Sequence, residues 1–159
     1  MTDLDFSVEE LSTAPARYRT SMKVRFQDID AAGIVFYPRF FEYFHDAYVA
    51  FLEEAGTPLH RGVNDRLWAA PLRRVFAEYM RPMRFGDPFE VAIVGAKIDG
   101  TDVAIGYRAA RGDDVIAVGT ELHVFVDPRS FKRARVLPAE LRAAMAPLVL
   151  VDTNRPEVK

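Results

Sequence analysis

Two carboxylates two residues apart, Asp28 and Asp30, stand at the end of an apolar segment, and Gly33 follows them. An aromatic and apolar run, Ile-Val-Phe-Tyr, then leads to Pro38, which suits the first turn of a helix because its missing N–H loses no hydrogen bond there. The first N–H groups of a helix have no intrahelical acceptor and favour negative charge. A carboxylate that attacks or activates water, beside donors that polarise a carbonyl, is a minimal arrangement for acyl transfer.

The elements around this segment predict an α+β fold. Residues 18–26 have the composition of a strand, residues 27–37 form a loop, and a helix of about five turns runs from Pro38 to a stop at Gly56. Its apolar residues recur at the spacing of one buried face: Phe40, Phe44, Ala47, Tyr48, Phe51, Leu52 and Ala55. Strand-like runs follow at 72–80, 89–98, 103–110 and 115–126, with hairpin turns at 99–102 and 111–114 and a short helix at 138–145. This order predicts an antiparallel sheet wrapped around one long helix, with an open edge strand.

Composition sets the domain organisation and excludes several classes of protein. Residues 1–16 mix acidic residues with Ser, Thr and Pro and predict a flexible leader, residues 17–147 a single domain, and residues 148–159 a C-terminal tail. A net charge of −2 and a pI near 5.9 argue against nucleic acid as a partner. No apolar run reaches the roughly 20 residues of a membrane span, and no signal peptide is recognisable. The absence of cysteine excludes thiolate nucleophiles and is compatible with the cytoplasm, which is the expected location.

The segment from Phe26 to Pro38 resembles the hotdog-fold thioesterases of the 4-hydroxybenzoyl-CoA thioesterase family. The matching residues are Phe26, Asp28, Asp30, the run 32–35, Tyr37 and Pro38. A weaker match continues through the helix, Glu78-Tyr79, Pro82, Asp87 and residues 126–138. The resemblance covers roughly residues 18–140 and implies a hotdog fold and hydrolysis of an acyl-CoA thioester. It also implies a homodimer or homotetramer whose active sites are shared between protomers.

The resemblance assigns roles to particular residues. Asp30 is expected to be the nucleophile or general base, and the backbone N–H of Tyr37 is expected to polarise the thioester carbonyl. Asp28 is expected to accept loop hydrogen bonds. Gly33 permits the turn, and Phe36 belongs to the aromatic surface near the carbonyl, which predicts an aromatic or medium-chain acyl group. No cofactor is implied beyond the CoA of the substrate.

The three histidines, His45, His60 and His123, have no metal-ligand spacing, so no metal site is expected. By the resemblance, His60 lies in a loop at the pocket mouth and contacts substrate. His45 replaces an acidic residue that meets the ring hydroxyl in the hydroxybenzoyl enzyme. A neutral imidazole can still bond a hydroxyl, but 4-hydroxybenzoyl specificity does not carry over.

A basic cluster of Arg129, Lys132, Arg133 and Arg135 follows the last strand. It is either a solvated tail or a site for the phosphates of CoA. Some relatives carry a basic turn between the third and fourth strands, whereas this chain has acidic Asp99 and Asp102 there. Either CoA is held differently, or the substrate is the thioester of a carrier protein.

Two other functions fit the same fold. A hotdog dehydratase needs a His paired with an acid near the pocket, and residues 26–38 contain no histidine. A non-catalytic acyl-binding protein has no need of Asp30. The leading prediction is therefore an acyl-CoA thioesterase.

Overall fold

The computed structural model describes residues 3–153 as a six-stranded sheet and four helices. The strands are β1 (Tyr18–Lys23), β2 (Leu72–Tyr79), β3 (Pro88–Asp99), β4 (Asp102–Arg111), β5 (Asp114–Val124) and β6 (Val149–Asp152). The helices are α1 (Val8–Thr13), α2 (Arg39–Glu54), α3 (Leu59–Asn64) and α4 (Ala139–Met145). The strand order is β1-β3-β4-β5-β2, with all these neighbours antiparallel, and β6 pairs in parallel with the distal half of β3. The predicted α+β hotdog fold is confirmed.

The two predicted hairpins connect the central strands. Asp99 pairs with Asp102, and Arg111 pairs with Asp114. Each turn contains a glycine at positive φ, 62° at Gly100 and 59° at Gly112, a region that side chains with a Cβ avoid. These turns align the long strands that form the floor beneath the helix.

Helix α2 lies on the concave face of this sheet. Pro38 is its N-cap residue, as the missing N–H predicts. The side chains that α2 buries are Phe40, Tyr43, Phe44, Ala47, Tyr48, Phe51 and Leu52. Six of the seven residues predicted from the spacing are among them, and the seventh, Ala55, is exposed. Tyr43 extends the buried face towards β1 and towards the loop of residues 27–37, which we call the motif loop. The helix thus fixes the motif loop at its N-terminus against the sheet.

The prediction of a flexible leader at residues 1–16 is wrong for the described part of that segment. Residues 8–13 form α1, which Ser7 caps by accepting a hydrogen bond from the Glu10 N–H at 3.0 Å. Leu11 is completely buried against the convex face of the sheet, where Gly106 leaves space for it. The ammonium group of Lys97 on β3 bonds the Glu10 carboxylate on α1 at 3.1 Å, and this ion pair also holds α1 against the sheet. Most residues of this segment are polar, so its composition did not indicate that a few apolar residues, such as Leu11, pack against the sheet.

The C-terminal tail predicted at residues 148–159 is also partly wrong. Residues 149–152 form β6, and Leu150 fills the space above Gly95 on β3. Residues 154–159 lie outside the described range. The structure also shows α3, which the sequence did not predict, within the segment between α2 and β2.

The predicted open edge is β2. Its side chains are exposed on both faces, including Leu72, Val75, Phe76 and Tyr79, each at 40–47 %. Such a row of exposed apolar side chains on an unpaired edge is typical of a strand that pairs with another chain.

Candidate active site

Asp30 sits in a tight turn held by its own backbone. Its N–H donates to the Ile34 carbonyl at 2.9 Å, and the Gly33 N–H donates back to the Asp30 carbonyl at 3.0 Å. Gly33 has φ of 81°, so the glycine is required for this turn. The Ala32 N–H donates to Oδ1 of Asp30 at 2.8 Å. Within residues 3–153, Oδ2 of Asp30 has no hydrogen-bond or ionic partner, so one oxygen is oriented and the other is free to react.

The start of α2 leaves one candidate donor for a carbonyl. The N–H groups of Arg39, Phe40 and Phe41 already donate to the carbonyls of residues 36, 37 and 38. Among the described residues, no acceptor pairs with the Tyr37 N–H, while the Tyr37 carbonyl accepts from the Tyr79 hydroxyl at 3.0 Å. The Tyr37 side chain itself is 61 % exposed. The helix therefore offers the Tyr37 amide rather than a full turn of free donors.

A groove of about 350 Å³ opens beside Tyr37. It is lined by Ile34, Val35, Tyr37, Phe40, Tyr79, Met80, Arg81, Pro82 and Met83. Apolar and aromatic groups make up most of this wall, as an acyl-binding groove requires. Asp30, Gly33 and Phe36 are not in the lining. The Phe36 ring instead packs on the Tyr37 ring at 5.1 Å, and is 44 % exposed.

Asp28 is completely buried, and both oxygens of its carboxylate accept hydrogen bonds. It accepts hydrogen bonds from the Arg25 guanidinium at 2.8 and 3.2 Å and from the Tyr43 hydroxyl at 2.6 Å. Burial alone raises the pKa of Asp28, but the bonds from Arg25 and Tyr43 outweigh it and lower the pKa. Only one backbone N–H, that of Arg25 at 3.3 Å, contributes, so side chains dominate where loop amides were expected. Asp28 ties the motif loop to α2.

His45 belongs to a polar cluster that the sequence did not predict. Its Nδ1 lies 3.8 Å from Oε2 of Glu121, a carboxylate on β5 with 1 % exposure. The same oxygen is 3.6 Å from Nε2 of His123 and accepts from the Tyr107 hydroxyl at 3.0 Å. Glu121 and His123 lie in the strand predicted at residues 115–126, and both point at the helix. The one available signal was Phe125, an apolar residue in the same phase.

The other residues predicted to bind substrate or CoA do not lie together near the groove beside Tyr37. His60 is exposed on α3 and is not part of the groove beside Tyr37. Lys132 and Arg133 line a separate cavity of about 600 Å³ beneath Trp68, and Arg129 lies next to it in the loop. Arg133 is bonded to Asp102, and the backbone N–H of Arg129 donates to the Asp127 carboxylate at 2.9 Å. Lys132 makes no side-chain ion pair in residues 3–153. The cluster follows the end of β5, beside the start of β2, and the Tyr37 groove lies at the other end of β2.

Within residues 3–153, no three His, Asp or Glu side chains are arranged to hold a metal ion. None of the helices in the same range has the length and apolar character needed to cross a bilayer.

Comparisons with known proteins identify the family and the fold of this chain. The family model of the thioesterase-like superfamily matches residues 24–145, which include the motif loop, α2 and the central strands. A 1,4-dihydroxy-2-naphthoyl-CoA hydrolase from Gloeothece citriformis is 30 % identical over 122 residues, 75 % of this chain and 83 % of the relative.

Two solved structures have the same fold. A 1,4-dihydroxy-2-naphthoyl-CoA thioesterase from Synechocystis superposes with a TM-score of 0.75 at 22 % identity, over 87 % of this chain and 98 % of that one. A gentisyl-coenzyme A thioesterase superposes with a TM-score of 0.69 at 26 % identity, over 78 % of this chain and 98 % of that one. The first of these supports the fold alone.

Proposed function

This chain belongs to the thioesterase-like superfamily, and we therefore propose that it hydrolyses an acyl-CoA thioester to the free acid and CoA. The observation that supports this most is Asp30, whose carboxylate is oriented by the Ala32 N–H and keeps one unpartnered oxygen. Its environment contrasts with that of Asp28, which is saturated by Arg25 and Tyr43. Asp30 is the carboxylate free to act.

Two routes are open to this carboxylate. In one, Asp30 attacks the thioester carbonyl, CoA leaves as a thiolate, and water then hydrolyses the resulting anhydride. In the other, Asp30 removes a proton from water as the water attacks. Both routes develop negative charge on the carbonyl oxygen, and in this proposal the Tyr37 N–H, which has no acceptor among the described residues, stabilises that charge. Neither route requires a metal or a redox cofactor.

We assign the acyl group to the aromatic or medium-chain class. The groove beside Tyr37 has apolar walls, with Phe40 and Tyr79 packed edge to face at 5.3 Å. The relative from Gloeothece citriformis carries the name of a hydrolase for a bicyclic aromatic thioester. Within the same proposal, Gly33 and Phe36 shape the loop around the carbonyl, and His60 contacts substrate only through a movement or from a partner protomer.

The active unit is a homodimer or homotetramer that shares its sites, working in the cytoplasm. If two copies pair antiparallel through β2, the start of one strand meets the end of the other. The Tyr37 groove and the basic cluster lie at opposite ends of β2, about 23 Å apart along the strand. Such pairing would bring Arg129, Lys132 and Arg133 of one protomer towards the Tyr37 groove of its partner, where they could bind the phosphates of CoA.

A carrier-protein thioester is a second candidate substrate. The β3–β4 turn is acidic, with Asp99 and Asp102, and Arg133 of the basic cluster is already bonded to Asp102. Fewer free cations then remain for the phosphates of CoA. The phosphopantetheine arm of a carrier protein would not need them.

The test is thiol release from a panel of acyl-CoA and acyl-carrier-protein thioesters, measured for the parent, Asp30→Asn and Asp113→Asn. Asn retains the shape of Asp and removes the charge that attack or proton abstraction requires. We expect Asp30→Asn to lower kcat by at least two orders of magnitude without changing Tm. Asp113→Asn, the same change in the exposed β4–β5 turn, is expected to leave kcat unchanged.

Parent-like turnover by purified Asp30→Asn would show that the proposed site is wrong. Binding of acyl-CoA without turnover by the parent would instead indicate the non-catalytic acyl-binding protein. A preference for the carrier-protein thioesters would establish the second candidate.

A further inference from the structure

Tyr79, the last residue of β2, connects this strand to the start of α2. Its hydroxyl donates to the Tyr37 carbonyl at 3.0 Å. Its ring packs on the Tyr37 ring, with centroids 6.2 Å apart, and on the Phe40 ring at 5.3 Å. All three residues line the groove in which the acyl group is proposed to bind. Tyr79 therefore bonds the carbonyl of the same residue whose N–H has no acceptor among the described residues.

The peptide group between Tyr37 and Pro38 has few hydrogen bonds to fix its orientation. Pro38 has no N–H, so only the Tyr37 carbonyl of this peptide group can form one. Within residues 3–153 the carbonyl accepts from the Tyr79 hydroxyl at 3.0 Å and from the Phe40 N–H at 3.3 Å. The bond from Phe40 is longer than the usual range for an N–H donor. The Tyr79 hydroxyl thus supplies the shorter of the two bonds that orient this peptide group.

The orientation of that peptide group affects where the Tyr37 N–H points. The Arg39 N–H donates to the Phe36 carbonyl at 2.9 Å and closes a turn over residues 36–39. The two central residues of this turn are Tyr37 and Pro38. Proline is disfavoured at the third position of the commonest β-turn, because its ring crowds the residue before it. A bond from outside the turn therefore stabilises a conformation that the local sequence does not favour, and its loss would let the Tyr37 N–H change direction.

The sheet fixes the position of the Tyr79 side chain. Tyr79 pairs in register with Ala117 on β5, which is completely buried. The N–H groups of Met80 and Arg81 both donate to the Ile116 carbonyl, at 2.8 and 3.1 Å, and fix the end of the strand. Burial raises the pKa of the Tyr79 hydroxyl, so the hydroxyl keeps its proton and remains a donor at neutral pH. The donor is thus in place before a substrate binds.

We propose that Tyr79 is a positioning residue, whose hydroxyl holds the Tyr37–Pro38 peptide group so that the Tyr37 N–H points at the thioester carbonyl. This inference rests on the proposed thioesterase function and adds to it a residue of β2 that acts through Tyr37. A donor stabilises the charge that develops on an oxygen most when it is directed there before the reaction begins. Loss of the Tyr79 hydroxyl should therefore slow the chemical step more than it weakens substrate binding.

The experiment measures kcat and KM for benzoyl-CoA in the parent, Tyr79→Phe and Tyr18→Phe. Phe keeps the ring of Tyr79 in the groove wall and removes only the hydroxyl. Tyr18→Phe is the matched control, because the Tyr18 hydroxyl donates to Glu54 at 2.9 Å and connects β1 to the other end of α2. We expect Tyr79→Phe to lower kcat about tenfold with KM within about twofold of the parent, and Tyr18→Phe to retain both values. A higher KM with unchanged kcat, or the same fall in kcat for both variants, would contradict the positioning role.

Relaxation of the Tyr37 amide tests the same role without turnover. The chain has six tyrosines, so labelling with ¹⁵N-tyrosine gives at most six backbone signals, and the signal lost in Tyr37→Phe belongs to Tyr37. We expect Tyr79→Phe, but not Tyr18→Phe, to lower the order parameter of this N–H or to add μs–ms exchange. Absence of hydrolysis of every thioester by the parent would overturn the proposed function itself. A parent-like kcat for Tyr79→Phe, or unchanged relaxation of the Tyr37 amide in that variant, would overturn this inference alone.

Discussion

At the scale of single residues, Asp28 and Asp30 show how the environment separates two identical side chains. Asp28 is buried, and Arg25 and Tyr43 occupy its oxygens. Asp30 is partly exposed, and one backbone N–H orients it. A carboxylate stabilised by a guanidinium and a hydroxyl is a poor nucleophile and a weak base, because those bonds would have to be broken first. We therefore expect Asp28 to contribute to stability, and we propose Asp30 as the residue that carries the chemistry.

The pH dependence of stability tests the role of Asp28. Its pKa is lowered in the folded state, so its contribution to stability is present above the unfolded pKa of about 4 and is lost as pH falls through the lower folded value. We expect Asp28→Asn to reduce the free energy of unfolding by about 2 kcal/mol at pH 7. The difference from the parent should shrink below about pH 4. Urea unfolding at pH 7, 5 and 3 measures it, with Asp113→Asn as control. A difference that grows at low pH would contradict this assignment.

At the scale of elements, α1 is a packed part of the fold. Leu11 is fully buried against Gly106, so Leu11→Ala should destabilise the protein by about 3 kcal/mol. Thermal unfolding measures this change, with Val63→Ala on the exposed surface of α3 as control. Because α1 lies on the convex face and α2 on the concave face, kcat of the folded Leu11→Ala protein should equal that of the parent. A loss of activity at full folding would mean that α1 communicates with the site.

The elements also show which kinds of contact the sequence could predict. The α2 face, both hairpins and the Asp30 turn are local, and periodicity or a glycine predicts each of them. The clusters that were missed are long-range. Glu121 meets His45 only because β5 runs beneath α2, and nothing in the spacing of either residue indicates the other. The packing of α1 depends on a gap at Gly106 on a distant strand, which is equally invisible to a local pattern.

At the scale of the whole molecule, the exposed edge of β2 predicts self-association. Val75 and Phe76 point to opposite faces of the sheet, and each is 40 % exposed or more. We expect light scattering at micromolar concentration to give two or four times the 18.0 kDa chain mass. Val75→Lys combined with Phe76→Glu should shift the mass towards the monomer, because charges oppose burial of this edge. A parent that scatters as an 18.0 kDa monomer would contradict the shared-site arrangement.

The groove beside Tyr37 also predicts how the length of the acyl group affects kcat/KM. Each buried CH₂ is worth roughly 0.8 kcal/mol, so an acyl group four methylenes longer than acetyl could gain about two orders of magnitude in kcat/KM if fully buried. The groove of about 350 Å³ is open to solvent, so it buries only part of the apolar surface of the acyl group. We therefore expect benzoyl-CoA or hexanoyl-CoA to exceed acetyl-CoA by at least tenfold in kcat/KM. Ile34→Ala, which removes apolar wall from the groove, should reduce that preference severalfold and leave acetyl-CoA hydrolysis unchanged. Equal kcat/KM values for acetyl-CoA and the larger thioesters would show that the acyl group does not bind in this groove.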